Sequence, residues 1–339
     1  MLKGEYTMAI KNVVLIGGGV LGSQIAYQSA FRGHAVTVWL RSEASIGRAK
    51  PKFERLHALY LQDLEACKSQ IGKENPQYVR GFFDDFSTAT VESIDQLKAQ
   101  ADKAYEDIKY ELDLGKAVAD ADLIIEALAE DPQQKIEFYQ KLAPVLQEKT
   151  IVCTNSSTLL PSQFAEYTGA PERYMALHFA NEIWKNNTAE VMGQAKTDQK
   201  VYDTVVEFAK AIGMVPLCLK KEQPGYILNS MLVPFLSAAE MLYAIDVADP
   251  ETIDKTWMLA TGAPAGPFRI LDIVGLTTAY NIVIMNPQAA DPDTVPGKIA
   301  AKLKEYIDAG KTSINAGELC RSEERRVGKE CRSRWSPYH

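Results

Sequence analysis

Four histidines occur in the 339 residues, and one of them closes an apolar run: His178, near the end of Tyr174–Phe179, with Glu190 twelve positions later. If the loop between them centres on Trp184, antiparallel pairing puts the two side chains opposite one another. A carboxylate on one ring nitrogen fixes the tautomer and stabilises the imidazolium, leaving the other nitrogen free to act as a base. The remaining histidines have poorer settings: His34 in a turn, His57 in a charged helix and His339 at the far end. A cross-strand pair can also be purely structural. A second constellation tips the reading towards chemistry.

Gly17-Gly18-Gly19-Val20-Leu21-Gly22 contains G-x-G-x-x-G between the apolar run Val13–Ile16 and a segment of helical spacing, Gly19–Phe31. A second β-branched run, Ala35–Leu40, closes the unit. In that context the pattern reads as a dinucleotide site. Gly17 allows the tight turn, Gly19 lets backbone approach a pyrophosphate, and Gly22 lets helix and strand pack closely. The helix N-terminus at Val20 and Leu21 then presents free N–H groups to the phosphates. An acid at the end of the second strand would select NAD, but here Leu40 is followed by Arg41. Pairing of Arg41 with a 2′-phosphate favours NADP over NAD, through a contact of about 1.5–3 kcal/mol. The alternative is a solvated Arg41, with Glu43 serving the ribose.

These groups need a frame. Strand patterns at Val13–Ile16, Ala35–Leu40, Ile108–Glu111, Leu123–Ala127 and Thr150–Cys153 alternate with helical ones, including long charged stretches at 43–73 and 88–106 and Pro132–Leu146. Further strands are expected at Tyr174–Phe179, Ala189–Met192 and Val215–Leu219. Such alternation predicts a Rossmann-type, doubly wound α/β sheet with a helical insertion. Beyond Pro224-Gly225 only helical patterns follow, at Tyr226–Val247, Pro250–Leu259, Pro267–Val274 and Pro296–Asp308. The expected division is a dinucleotide-binding domain over 8–195, a connecting segment over 196–223 and an all-helical domain over 224–320. Residues 321–339 carry six Lys/Arg against three Glu with no periodicity, and are read as an artefact tail.

The formal charge of −7 argues against a nucleic-acid surface. Five scattered cysteines with no CxxC pair give no metal site and fit a reducing compartment. No run is apolar enough to span a membrane, and the N-terminus has no apolar signal segment, so a cytoplasmic location is expected.

From about Ile10 to Glu318 the chain resembles the L-3-hydroxyacyl-CoA dehydrogenase family. The matching stretches are VVLIGGGVLGSQIA (13–26), ADADLIIEALAED (119–131), NSSTL (155–159), ALHFAN…NTAEVM (176–192), PGYILNSML (224–232) and DPETIDK…GAPAGPFRILDIVGL (249–276). The resemblance implies that His178 is the catalytic base and Glu190 its partner. Ser157 and Asn229 would bond the reacting oxygen and the neighbouring carbonyl. Gly17, Gly19, Gly22, Glu130, Lys135 and Asn181 would line a nicotinamide cofactor, NAD or NADP. It also implies a homodimer through the helical domain and a small-molecule 3-hydroxyacyl-CoA substrate. From the residues alone, Ser157 could instead cap a helix beginning near Leu159, and Asn229 could be a packing residue.

Departures from the family pattern open a second substrate class. Leu56 and Asp63 stand where family members use a serine and a lysine near coenzyme A. The run His178–Trp184 replaces an HFFNP-like segment and predicts a bulkier pocket rim. The insertion at 82–106 is long, and Gly317-Glu318 begins an end motif that does not finish. A free 3-hydroxy acid of the gulonate or carnitine type is the alternative substrate. A non-catalytic, crystallin-like dinucleotide-binding protein is the alternative of another class. Dehydrogenases that use a lysine on the first helix of the second domain fit poorly, because no lysine lies between Tyr226 and Val247.

Overall fold

The computed structural model describes residues 10–312. The tail 321–339, the Gly317-Glu318 end motif and Met8 lie outside the described residues. The chain divides into two compact units, the first ending at Ile227 and the second starting at Leu228.

In the first unit β1 (Asn12–Ile16) leads into α1 (Val20–Phe31), and β2 (Ala35–Trp39) is followed by α2 (Glu43–Lys68) and α3 (Val91–Asp107). Then come β3 (Lys109–Glu111), α4 (Leu114–Val118), β4 (Leu123–Glu126), α5 (Pro132–Leu142) and β5 (Ile151–Thr154). The antiparallel pair β6 (Tyr174–Phe179) and β7 (Thr188–Met192), then α6 (Gln199–Ala211) and β8 (Val215–Cys218), complete it. One eight-stranded sheet results, in the order β3-β2-β1-β4-β5-β6-β7-β8. Every neighbouring pair is parallel except β6 with β7. The stretch 196–223, expected to be a connecting segment, thus contains α6 and an edge strand. The strand itself matches the pattern expected at Val215–Leu219, but the sequence does not show that it pairs with β7 and so belongs to the sheet.

Both sheet faces are buried, as crossover helices require. Along β1, Val13 and Leu15 pack with Phe31, Phe53, Tyr60 and Phe208 on one face. Val14 and Ile16 pack with Val118, Phe138 and Tyr139 on the other. Local signals set the helix starts. Ser42 accepts from Ser45 N to cap α2, Thr90 and Ser93 form a capping box on α3, and Asp131 caps α5 just before Pro132. Strand order reverses direction between β1 and β4, and the carboxyl ends of the parallel strands there define a ligand crevice.

The second unit is all-helical among its described residues: α7 (Leu228–Ala244), α8 (Pro250–Thr261), α9 (Pro267–Val274), α10 (Leu276–Ile284) and α11 (Val295–Asp308). Its core gathers Leu236, Phe268, Leu271, Leu276, Ile299 and Leu303. Buried Asp254 caps α9 by accepting from Phe268 N (2.8 Å) and Arg269 N (2.9 Å). No single described helix is long and apolar enough to cross a membrane, and α9 with α10 would qualify only as a pair bent by 96°. Helix α7 starts two residues later than its pattern predicts, because Tyr226 adopts a left-handed φ of 53°.

Candidate active site

The register places His178 opposite Glu190, the pairing expected from the loop spacing. Glu190 Oε2 lies 3.0 Å from His178 Nδ1, and both residues are buried. Nε2 is the ring nitrogen that Glu190 does not engage. The other carboxylate oxygen, Oε1, accepts the backbone N–H of Ile227 at 2.8 Å. A carboxylate held on both oxygens is a fixed partner for one ring nitrogen, as a base of defined tautomer requires.

At the carboxyl end of β1 the glycines are set by close approach. Gly17 has φ +102°, and a Cβ there would lie 2.9 Å from Ala127 O. A Cβ on Gly22 would lie 2.6 Å from Gly17 O. Gly19 faces open space, with nothing within 4 Å of a built Cβ, and it precedes α1, whose N-terminus has no side-chain cap. Val20 is exposed there. Gly18, absent from the expected set, is also constrained, since a Cβ would come within 2.8 Å of Ala49 Cβ. These gaps fit a dinucleotide, because backbone and helix N-terminus are left bare where phosphates would sit.

A cleft of about 290 Å³ runs from these glycines past Trp39, Leu40, Arg41, Arg48 and Lys52. Leu40 is buried and Arg41 exposed. Arg48 donates to Ser45 Oγ (2.8 Å), and Lys52 donates to Gly18 O (3.1 Å). None of the residues lining the cleft is acidic.

Three expected contacts are rearranged. Lys135, expected to line the cofactor, is wholly buried, and its ammonium lies 2.6 Å from Glu126 Oε1. Glu126 also accepts from Leu128 N (2.6 Å), Tyr139 OH (2.8 Å) and Thr154 Oγ1 (2.8 Å). This network ties the ends of β4 and β5 to α5, and it engages the Lys135 ammonium inside the unit. Glu126 was missed because an acid at the end of an apolar strand gives no sign in the sequence of the donors that gather on it. Ser157 caps no helix. Its hydroxyl donates to Glu130 (3.0 Å), Ser156 Oγ donates to the same carboxylate (2.6 Å), and Ser157 N bonds it as well. The first helical turn that follows is a short 3-10 segment at Pro161–Gln163. Trp184, expected on the pocket rim, is buried against Tyr60, with ring centroids 5.1 Å apart. Its Nε1 donates to Asp63 (2.9 Å), which also pairs with Lys185.

Asn181 is exposed in the turn after β6, with its carbonyl accepting from Asn186 Nδ2 (2.8 Å). Asn229 is the second residue of α7 and belongs to the helical unit. Sequence reasoning missed Tyr226, whose ring stacks on His178. The signal available was Pro224-Gly225, which argues against a helix starting at 226.

Residues 12–223 match the family described as "3-hydroxyacyl-CoA dehydrogenase, NAD binding domain", and residues 225–318 match the C-terminal domain of that enzyme. The chain belongs to the 3-hydroxyacyl-CoA dehydrogenase family. Its sheet unit is thus the family's NAD-binding domain, and the protein is an oxidoreductase. It is 32% identical to rat mitochondrial hydroxyacyl-coenzyme A dehydrogenase over 309 residues, 91% of this chain and 90% of the relative. It is 30% identical to 3-hydroxybutyryl-CoA dehydrogenase of Clostridioides difficile, covering 89% of this chain and 97% of that one. A solved diketoreductase, described as catalysing reactions of dicarbonyl compounds, is 48% identical, with a TM-score of 0.77 and 93% and 99% of the two chains covered. In this dehydrogenase-family chain the glycine cradle and the His178–Glu190 pair lie on one unit, at the carboxyl edge of one sheet.

Proposed function

We propose that this protein interconverts a 3-keto and a 3-hydroxy group, with His178 as general base and acid and Glu190 as its partner. The observation that carries the reading is the carboxylate of Glu190, bound through one oxygen to His178 Nδ1 and through the other to Ile227 N. Gly17, Gly19, Gly22 and the start of α1 would hold NAD(H), which would supply or accept the hydride. In the oxidising direction Nε2 takes the hydroxyl proton as the C–O double bond forms. In reduction it returns that proton to the new alkoxide. Glu190 keeps Nδ1 protonated throughout and offsets the imidazolium charge. Ser157 donates its hydroxyl proton to Glu130, and that proton must turn towards the substrate oxygen for Ser157 to bond it.

The substrate we favour is a dicarbonyl compound without coenzyme A. Support comes from Asp63, committed to Trp184 and Lys185 where family members use a lysine, from buried Leu56, and from the 48% identity to a diketoreductase. Arg41, Arg48 and Lys52, with no acid among them in the cleft lining, support use of NADPH alongside NADH. Exposed apolar side chains on the helical unit (Met231, Leu259 and Ile273 at 63%, Met285 at 81%) support a homodimer. Light scattering of the purified protein tests that, and a monomer at micromolar concentration overturns it.

One matrix tests the chemistry: NADH and NADPH, each against acetoacetyl-CoA, free 3-keto acids and a 1,3-diketo ester, followed by nicotinamide absorbance. The reading expects turnover of a free dicarbonyl with both cofactors. A clear preference for acetoacetyl-CoA overturns the substrate assignment. No turnover of any 3-keto compound overturns the reaction.

A further inference from the structure

Residues 223–227 form a strap across the carboxyl edge of the sheet, and they do more to the histidine than connect two units. Tyr226 lies with its ring centroid 4.5 Å from that of His178 and 15° from coplanar. It is 1% exposed and packs with Ala176 of β6 and Met192 of β7, beneath the hairpin that carries the pair. Its hydroxyl donates to Ser156 O at 2.7 Å, beside the Ser157–Glu130 bonds. The next residue supplies the N–H that holds Glu190 Oε1. Three residues before Tyr226, Gln223 N lies 3.2 Å from Met192 Sδ.

The backbone at Tyr226 is left-handed, φ 53°, a region that a bulky L-residue enters at a cost of roughly 1–3 kcal/mol. Such an outlier persists only where its surroundings over-determine it, and here a ring stack, a hydroxyl bond and the neighbouring N–H all do so. The hydrogen bond to Ser156 would be lost to any other aromatic residue, and the stack to any aliphatic one.

We infer that Tyr226 is a positioning residue for the base: its ring fixes the plane of the His178 imidazole and stabilises its protonated form. The inference rests on the reading of His178 as the base. A flat π-face against an imidazolium is attractive in the manner of a cation–π contact, and its value rises when both partners are desolvated. Burial pushes the phenol far up, so the ring stays neutral. The groups that face this pair are Glu190 from β7, Glu130 and Glu126 from the β4 end, and the Cys153 thiol from β5. The carboxylates also favour imidazolium, but they remain when the ring is removed. Loss of the ring therefore lowers the histidine's proton affinity, whereas loss of the hydroxyl alone leaves it.

The full-length protein tests this with Tyr226→Phe, Tyr226→Leu and Tyr226→Met, the last two being alternatives should one fail to fold. Three readouts are needed: kcat and kcat/KM against pH in the oxidising direction, NADH affinity by fluorescence, and the His178 titration by imidazole NMR. The aliphatic variants are expected to lower kcat by about 10–100-fold and to move the histidine titration about 0.5–1 unit to lower pH. NADH affinity should stay within about twofold. Tyr226→Phe should keep the wild-type titration and recover most of kcat. A wild-type titration in the aliphatic variants, or the same shift in Tyr226→Phe, overturns the inference. His178→Ala separates the two levels: if that variant keeps its activity, the reading of the base fails, whatever Tyr226 does.

Discussion

Both units bury glutamates, and they treat them in opposite ways. In the sheet unit Glu126 has four donors and Glu190 is gripped on both oxygens. In the helical unit Glu240 sits on the inward face of α7, 6% exposed, with no hydrogen-bond or ion partner among the described residues. Burial alone pushes its carboxyl up to about 7. A buried carboxylate costs several kcal/mol unless donors replace water. The sheet unit meets that cost and obtains fixed geometry at the cleft. The helical unit leaves it unmet, so there burial shows up as a pH-sensitive stability.

Four substitutions break or sharpen this contrast. The largest effect is expected from His178→Ala, which should lower kcat by about 10²–10⁴-fold while NADH affinity changes little. Steady-state rates and fluorescence titration measure the two. Lys135→Met comes next. It strands Glu126 without its cation and should destabilise the sheet unit by about 3–5 kcal/mol, read as a lower urea midpoint. If Lys135 touched the cofactor instead, NADH affinity would fall and the midpoint would hold. Gly22→Ala forces a methyl against Gly17 O and should weaken NADH binding about tenfold or more, with smaller change in stability.

The smallest effect belongs to Glu240→Gln. The folded carboxyl has its pKa raised above the unfolded value of about 4.3. Its unit is therefore at its most stable below that pH and loses stability as pH rises towards 7. Glutamine removes the titration. At pH 8 the melting temperature should rise by several degrees, and at about pH 4, below both pKa values, it should barely move. An equal change at both pH values would mean that Glu240 is not desolvated.

Much of the architecture was legible because strand and helix periods differ so sharply along 12–154. The hairpin register followed from one count, six residues either side of Trp184. What was not legible was which polar side chains meet one another across elements. Glu126, Lys135 and Tyr139 are spread over 126–139, but they converge with Thr154 only once β4 and β5 are paired. Trp184 looked like a rim residue because sequence cannot show that Tyr60, on a distant helix, waits beneath it. Tyr226 was hidden inside an apparent helix, and only its positive φ reveals a different role.

The strap bears on where this protein can be cut. The family's NAD-binding match ends at residue 223, but the compact sheet unit runs to Ile227. A fragment trimmed at the family boundary would keep all eight strands and lose the four residues that cover the imidazole and cap Glu190. Such a piece is expected to hold dinucleotide yet present a wet, loosely oriented histidine. Any excised domain, chimera or split version should carry its break beyond position 227.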